Sequence, residues 1–258
     1  MFPNRFLRRR WPALLAAWVT ASSAGWLAWP ASAATSGRAA EPASLPQAVA
    51  LYEQGRFALA AAQFEALARR GSAAAAHNLA VMHLRGEVPG ASVATARRLL
   101  ENAAGAGFVT AQLALGEAHD SGRLGERDLT AALAWYERAA QAGSPDAQVA
   151  AGTAHFLGRG TAVDMARAAH FYRLAAQAGD VGAQYILASM YEKGDGVPAD
   201  LRLARYWYEA AARQGDEAAP AKLQELAGRA AALTADPPAA PPAAAPASPA
   251  AAPTTTPP

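Results

Sequence analysis

The sequence contains no cysteine among its 258 residues. That excludes disulfide staples, cysteine-ligated metals, thiol catalysis and a lipid-modified cysteine anchor. Charge is sparse too, with Asp, Glu, Lys and Arg making up 17% of residues. No phosphate-cradling glycine loop, His-Glu-x-x-His or Gly-x-Ser-x-Gly occurs, so the common short catalytic motifs are missing. What is plentiful is alanine, punctuated by 21 Gly and 18 Pro. That composition fits close helix packing through small residues better than a β-rich core.

The first 33 residues have the three-part layout of an export signal. Arg5, Arg8, Arg9 and Arg10 form a positive start, and Trp11 to Trp29 is an uncharged apolar run. Ala31-Ser32-Ala33 then supplies small residues for cleavage before Ala34. The alternative is an uncleaved membrane tether, because the apolar run approaches the ~20 residues that span a bilayer. A periplasmic or secreted location follows from the first reading, an inner-membrane anchor from the second. The segment also carries four of the 23 basic residues and none of the 21 acidic ones. The remainder therefore has 19 basic against 21 acidic residues, a net charge of about −2. The basic isoelectric point belongs to the signal, and no nucleic-acid partner is expected.

Periodicity is the strongest signal in the chain. Gly86, Gly122, Gly158 and Gly194 are spaced 36 residues apart, and four units follow without a gap: 75–110, 111–146, 147–182 and 183–218. Ala75, Ala111, Ala147 and Ala183 open them, and their second halves align Leu99-Leu100, Trp135-Tyr136, Phe171-Tyr172 and Trp207-Tyr208. Each unit reads as helix, loop, helix. Ala111, Leu115, Ala118 and His119 form one apolar stripe, and Gly122 suits a helix end because it tolerates positive φ. Ser92, Asp128, Asp164 and Asp200 precede the second helices as N-caps, and Ser144-Pro145 starts a first helix. Phe108 interrupts this capping pattern. Residues 45–74 read as a shorter N-terminal repeat after a linker over 34–44. Residues 219–235 read as a capping helix, and the uncharged Ala/Pro-rich stretch 236–258 as a disordered tail.

No arrangement of residues calls for catalysis, a metal or another cofactor. His83, His119 and His155 share one repeat position, which Tyr191 fills in the fourth unit. Zinc needs its donors at ~2.0–2.1 Å, whereas packed helices stand ~8–10 Å apart, so packing explains them better than a metal ladder. The repeated Asp residues are accounted for as caps, since Ser92 replaces Asp at the same register. A binding face follows from helix geometry. The stripe at i, i+4, i+7 on each first helix gives His77, Val81 and Leu84; Leu113, Glu117 and Asp120; Val149, Thr153 and Phe156; and Tyr185, Ser189 and Glu192. This apolar, aromatic and acidic mixture suits a protein or peptide partner. Arg85 and Lys193 stand near its edge, placed to steer an acidic partner.

The units resemble Sel1-like repeats, the longer-looped relatives of tetratricopeptide repeats. The likeness rests on Leu115-Gly116 with Gly122, on Tyr191-Glu192-Lys193-Gly194-Asp195-Gly196-Val197 with Asp200, and on Ala204-x-x-Trp207-Tyr208-x-x-Ala211-Ala212-x-x-Gly215. It implies an all-α fold, a right-handed α-solenoid of helical hairpins. It also implies a non-catalytic adaptor of the bacterial cell envelope, with a partner on its concave face. Exported members are associated with envelope assembly, polysaccharide export, regulation and host interaction. Others bind penicillins, which makes a β-lactam-binding or β-lactamase-like role the alternative. Those relatives have a disulfide in every repeat, and this chain has no cysteine to make one.

Overall fold

A computed structural model describes residues 44–234. The expected export segment and the Ala/Pro-rich tail lie outside the described residues, as does the linker up to residue 43. Every regular element among the described residues is an α-helix. They fall into two compact units, the first ending at Asp180 and the second beginning at Val181.

The first unit is four stacked hairpins. α1 (Leu45–Glu53) pairs with α2 (Phe57–Arg69), α3 (Ala73–Arg85) with α4 (Val93–Gly105), α5 (Val109–Ser121) with α6 (Leu129–Gln141), and α7 (Pro145–Leu157) with α8 (Met165–Gln177). The second unit contains α9 (Val181–Lys193), α10 (Leu201–Arg213) and α11 (Ala219–Thr234). The fold is thus all-α and built of solenoid hairpins, as the 36-residue period predicts.

The local chemistry sets the helix limits. Ser92, Asp128 and Asp164 each accept a backbone N–H from three residues on, at 3.3, 2.9 and 2.9 Å. Asp200 accepts two, from Arg202 and Leu203. Ser72 and Ser144 cap first helices in the same way, and Pro145 occupies the first turn of α7. At α5 the cap position is Phe108, which makes no side-chain cap hydrogen bond. It packs instead edge-on to His77, ring centroids 5.7 Å apart. At the other end of α5, Gly122 closes the helix in the left-handed region at φ 72°.

Small residues let the helices meet closely. Ala75, Ala111, Ala147 and Ala183 are fully buried, and larger side chains fill the space beyond them. One core cluster draws on three successive helices: Ala80 of α3, Leu100 of α4, and Ala111 and Leu115 of α5. Trp135 packs against it from α6, with the Arg138 guanidinium 4.6 Å above its ring. Because each cluster is shared by adjacent hairpins, no hairpin buries its apolar residues alone, which is why the units stack.

Two further contacts join one repeat to the next. Gln112 Nε2 donates to the Ala104 carbonyl at the end of α4, and Gln148 Nε2 to Ala140 at the end of α6. Each adds a second donor to a carbonyl at the helix end that also accepts a backbone N–H from the following turn, Gly107 for Ala104 and Gly143 for Ala140. The Tyr136 and Tyr172 rings lie across Gly116 and Gly152 of the preceding helices. A Cβ added at Gly116 would stand 2.7 Å from the Tyr136 ring, and at Gly152 3.2 Å from Tyr172. The glycines therefore hold those rings against helix backbone.

Candidate partner-docking face

In the first unit, the stripe predicted to bind a partner lies on α3, α5 and α7. On α3, His77, Val81 and Leu84 are all half-buried. His77 Nδ1 is buried without a hydrogen-bond partner, and burial lowers the His77 pKa from 6.5 to about 4. On α5, Leu113 is 8% exposed and belongs to the core formed with Ala147 and Ala151 of α7. It packs between repeats and leaves little surface for a ligand. Glu117 and Asp120 of the same helix are half-buried. On α7, Val149 and Phe156 are half-buried, and the Thr153 hydroxyl lies 3.0 Å from that of Tyr172.

The acidic residues of α5 differ sharply in their surroundings. Asp120 accepts from Arg127 Nη2 at 2.9 Å and also meets Arg159, and it hydrogen-bonds the Tyr136 hydroxyl. Burial, and then the negative charge of Asp120 and Glu117, pushes the Tyr136 hydroxyl well above its ordinary pKa. It is therefore neutral and able to donate. The Glu117 carboxyl is raised from 4.5 to about 7, first by burial and then by Asp146, with Asp120 adding to the effect and Arg123 opposing it.

In the second unit, Tyr185 lies edge-on to Tyr208, ring centroids 5.2 Å apart. Ser189 hydrogen-bonds Tyr208. The Glu192 side chain, only 6% exposed, accepts from the Tyr208 hydroxyl at 2.9 Å and from Arg229 at 3.0 Å, with Lys222 Nζ 3.6 Å away. The cations of α11 thus cover this part of the predicted stripe.

The other singled-out side chains are occupied structurally. His155 is 1% exposed, stacks on Phe171 and has Nε2 2.7 Å from Glu137 Oε1. His83 Nδ1 accepts the Ser92 backbone N–H. Arg85 donates to the Tyr52 hydroxyl at 2.6 Å and lies 3.9 Å from Glu87, so its charge is held within the chain. Sequence reasoning missed the tyrosine hydroxyls that reach the stripe from the second helices. Their signal in the sequence is the shared repeat position of Tyr136, Tyr172 and Tyr208. Outside the stripe, a shallow depression of about 450 Å³ is lined by Gln141, Asp164, Arg167, His170, Phe171 and Leu174.

The Sel1 repeat model matches residues 73–108, 109–144, 145–180 and 181–216. The chain belongs to the Sel1 repeat family. The matched repeats begin at the first residues of α3, α5, α7 and α9, two residues ahead of the boundaries drawn from the alanine pattern. Among solved structures, a protective antigen of uropathogenic Escherichia coli with an SLR fold, c5321, is 32% identical with a TM-score of 0.60. That match covers 66% of this chain and 36% of the antigen. A Sel1 repeat protein from Oxalobacter formigenes is 31% identical, also with a TM-score of 0.60, over 69% of this chain and 55% of its own. The chain thus spans between about a third and just over half of those two proteins. Among curated proteins none matches it. Sel1 repeats are in general a protein-interaction fold.

Proposed function

We propose that this chain is a non-catalytic scaffold of the bacterial cell envelope. In this role the stripe on α3, α5 and α7 docks a segment of a partner protein. The observation that carries this reading is the half-buried surface of Val81 and Leu84 on α3, Glu117 on α5, and Val149 and Phe156 on α7, at matching repeat positions of helices that pack in sequence. Docking patches combine apolar and aromatic side chains with a few polar groups that pair with the partner. The N-terminal basic, apolar and Ala31-Ser32-Ala33 segments support export, which puts the partner in the periplasm or outside the cell.

The non-catalytic reading is supported by how the reactive side chains are used. Each described serine already makes a local bond. Ser44, Ser72, Ser92 and Ser144 cap helices, Ser121 bonds the Glu117 carbonyl, and Ser189 bonds Tyr208. A photo-crosslinking residue at Val149 or Phe156 tests the docking role in intact cells. Capture of one protein from both positions, and not from exposed Glu101, is expected. Labelling that is the same at all three positions would remove the proposed face.

A further inference from the structure

Two carboxylates of the stripe are paired with cations from the second helix further along the chain or the loop just after it. Asp120 receives Arg159 from the loop after α7, and Glu192 receives Lys222 and Arg229 from α11. Each also has a tyrosine hydroxyl, from Tyr136 and Tyr208. Glu117 is different. It lies one helical turn before Asp120, and its carboxyl makes no hydrogen bond or ion pair among the described residues. The same register holds Val81, Thr153 and Ser189, so a carboxylate is not something this repeat position needs for packing. The groups facing it are Asp146 and Asp120, which repel its charge, and Arg123, which offsets part of that repulsion. The apolar side chains on either side belong to adjacent helices. Leu113 of α5 packs with Ala147 and Ala151 of α7, and α3 also contacts α5.

We infer that the partner segment docked on the first unit carries a lysine or arginine that pairs with Glu117, flanked by apolar side chains that cover Val81 and Leu84 on one side and Val149 and Phe156 on the other. The inference rests on the docking role proposed above and names the chemistry of its occupant. An acidic segment would place like charges beside Glu117, Asp120 and Asp146. A wholly apolar one would bury Glu117 further with no charge to compensate it. A basic amphipathic segment meets both demands at once, because the cation supplies the missing counter-charge in a partly dry site. The in-chain precedent is α11, where Lys222 and Arg229 flank buried Leu226 and reach Glu192.

The test uses the purified full chain and two labelled peptides of about 18 residues, long enough for five helical turns. One is an amphipathic helix of leucine and lysine, and the other has every lysine replaced by glutamine. Fluorescence anisotropy at pH 8 should give at least roughly tenfold tighter binding of the lysine peptide. Glu117→Gln should remove most of that preference while leaving the glutamine peptide's affinity unchanged. Glu101→Gln, on the exposed face of α4, should leave the preference intact. A preference that survives Glu117→Gln, an equal loss with Glu101→Gln, or no binding of the lysine peptide at roughly 100 µM overturns the inference. Phe156→Asp and Val149→Asp, each with its helix content checked by circular dichroism, separate this from the docking role. If they abolish both peptides' binding while Glu117→Gln keeps the preference, only the basic occupant is wrong. If they change nothing, the docking role itself fails. Sedimentation at several concentrations covers the remaining occupant. A dimer lost with Glu117→Gln would identify a second copy on this face and overturn the partner inference.

Discussion

Arg159, in the loop after α7, meets the carboxylate of Asp120 on α5, 39 residues earlier in the chain. This pair fastens the third repeat to the second, and Tyr136 joins it from α6. Asp120→Ala removes the shared acceptor and leaves a half-buried guanidinium and a buried hydroxyl without it. A loss of about 1–3 kcal/mol is expected from those unmade bonds. Arg127→Ala removes only the more exposed cation, and its effect should stay below about 1 kcal/mol. Urea denaturation of the two variants checks the order, and equal losses would mean that the bonds of Arg159 and Tyr136 to Asp120 contribute nothing.

Lowering the pH should reveal His77 through linkage. Its folded pKa, about 4, lies below the ordinary 6.5. Between those values the unfolded chain takes up a proton that the folded chain refuses. Stability from this group is therefore complete above pH 6.5 and declines as the pH falls toward 4. The full difference corresponds to roughly 3 kcal/mol. His77→Leu, which copies the residue at Leu113, should remove this rise and leave the opposing slope of Glu117 uncompensated. A wild-type-like slope in the variant would assign the effect to another group.

Glu117 acts in the opposite direction. Its folded pKa of about 7 lies above the ordinary 4.5, so the folded state holds the proton longer. Its contribution is present below pH 4.5 and is lost as the pH rises through 7. Glu117→Gln should therefore stabilise the chain at pH 8 by roughly 2–3 kcal/mol and do little at pH 4. The His77 and Glu117 slopes overlap and partly cancel, so the parent protein shows less dependence on pH than either variant. Thermal melts of the parent and both variants across this range test the cancellation.

The Tyr136 ring makes Gly116 harder to replace than Gly152. Gly116→Ala forces a methyl to 2.7 Å from that ring, against 3.2 Å at Gly152. Overpacking costs about 1–3 kcal/mol, while replacing a mid-helix glycine with alanine returns up to about 1 kcal/mol. The first substitution should be net destabilising, and the second close to neutral. Ala188 already occupies the equivalent position in the fourth repeat and is fully buried there. Chemical denaturation distinguishes the two cases, and a neutral Gly116→Ala would show that the ring shifts freely.

Features fixed by neighbours in the chain were legible in the sequence. Asp128 and Asp164 cap their helices because a short side chain before an apolar run meets its own backbone, a relation that needs no tertiary knowledge. The 36-residue spacing likewise carried the hairpin order and the packing role of His155. Contacts between repeats were not legible. Helical spacing put Leu113 on the same stripe as Glu117, but could not show that α7 closes over one and leaves the other accessible. The long reach of Gln148 to Ala140, and of Arg229 to Glu192, depends on side-chain conformers that no periodicity encodes. The proposed docking stripe could therefore be drawn only at the level of helices, while the inventory of accessible groups came from the packed arrangement.

The bonds between α11 and Glu192 also have a bearing on how such arrays end. A chain cut after residue 218 would lose Lys222, Leu226 and Arg229 together. Its last hairpin would then present a bare flank with an uncompensated negative charge. Flanks of that kind are adhesive, and shortened forms would be prone to join end to end. In this view α11, the last described helix, acts as a stopper on the fourth Sel1 repeat.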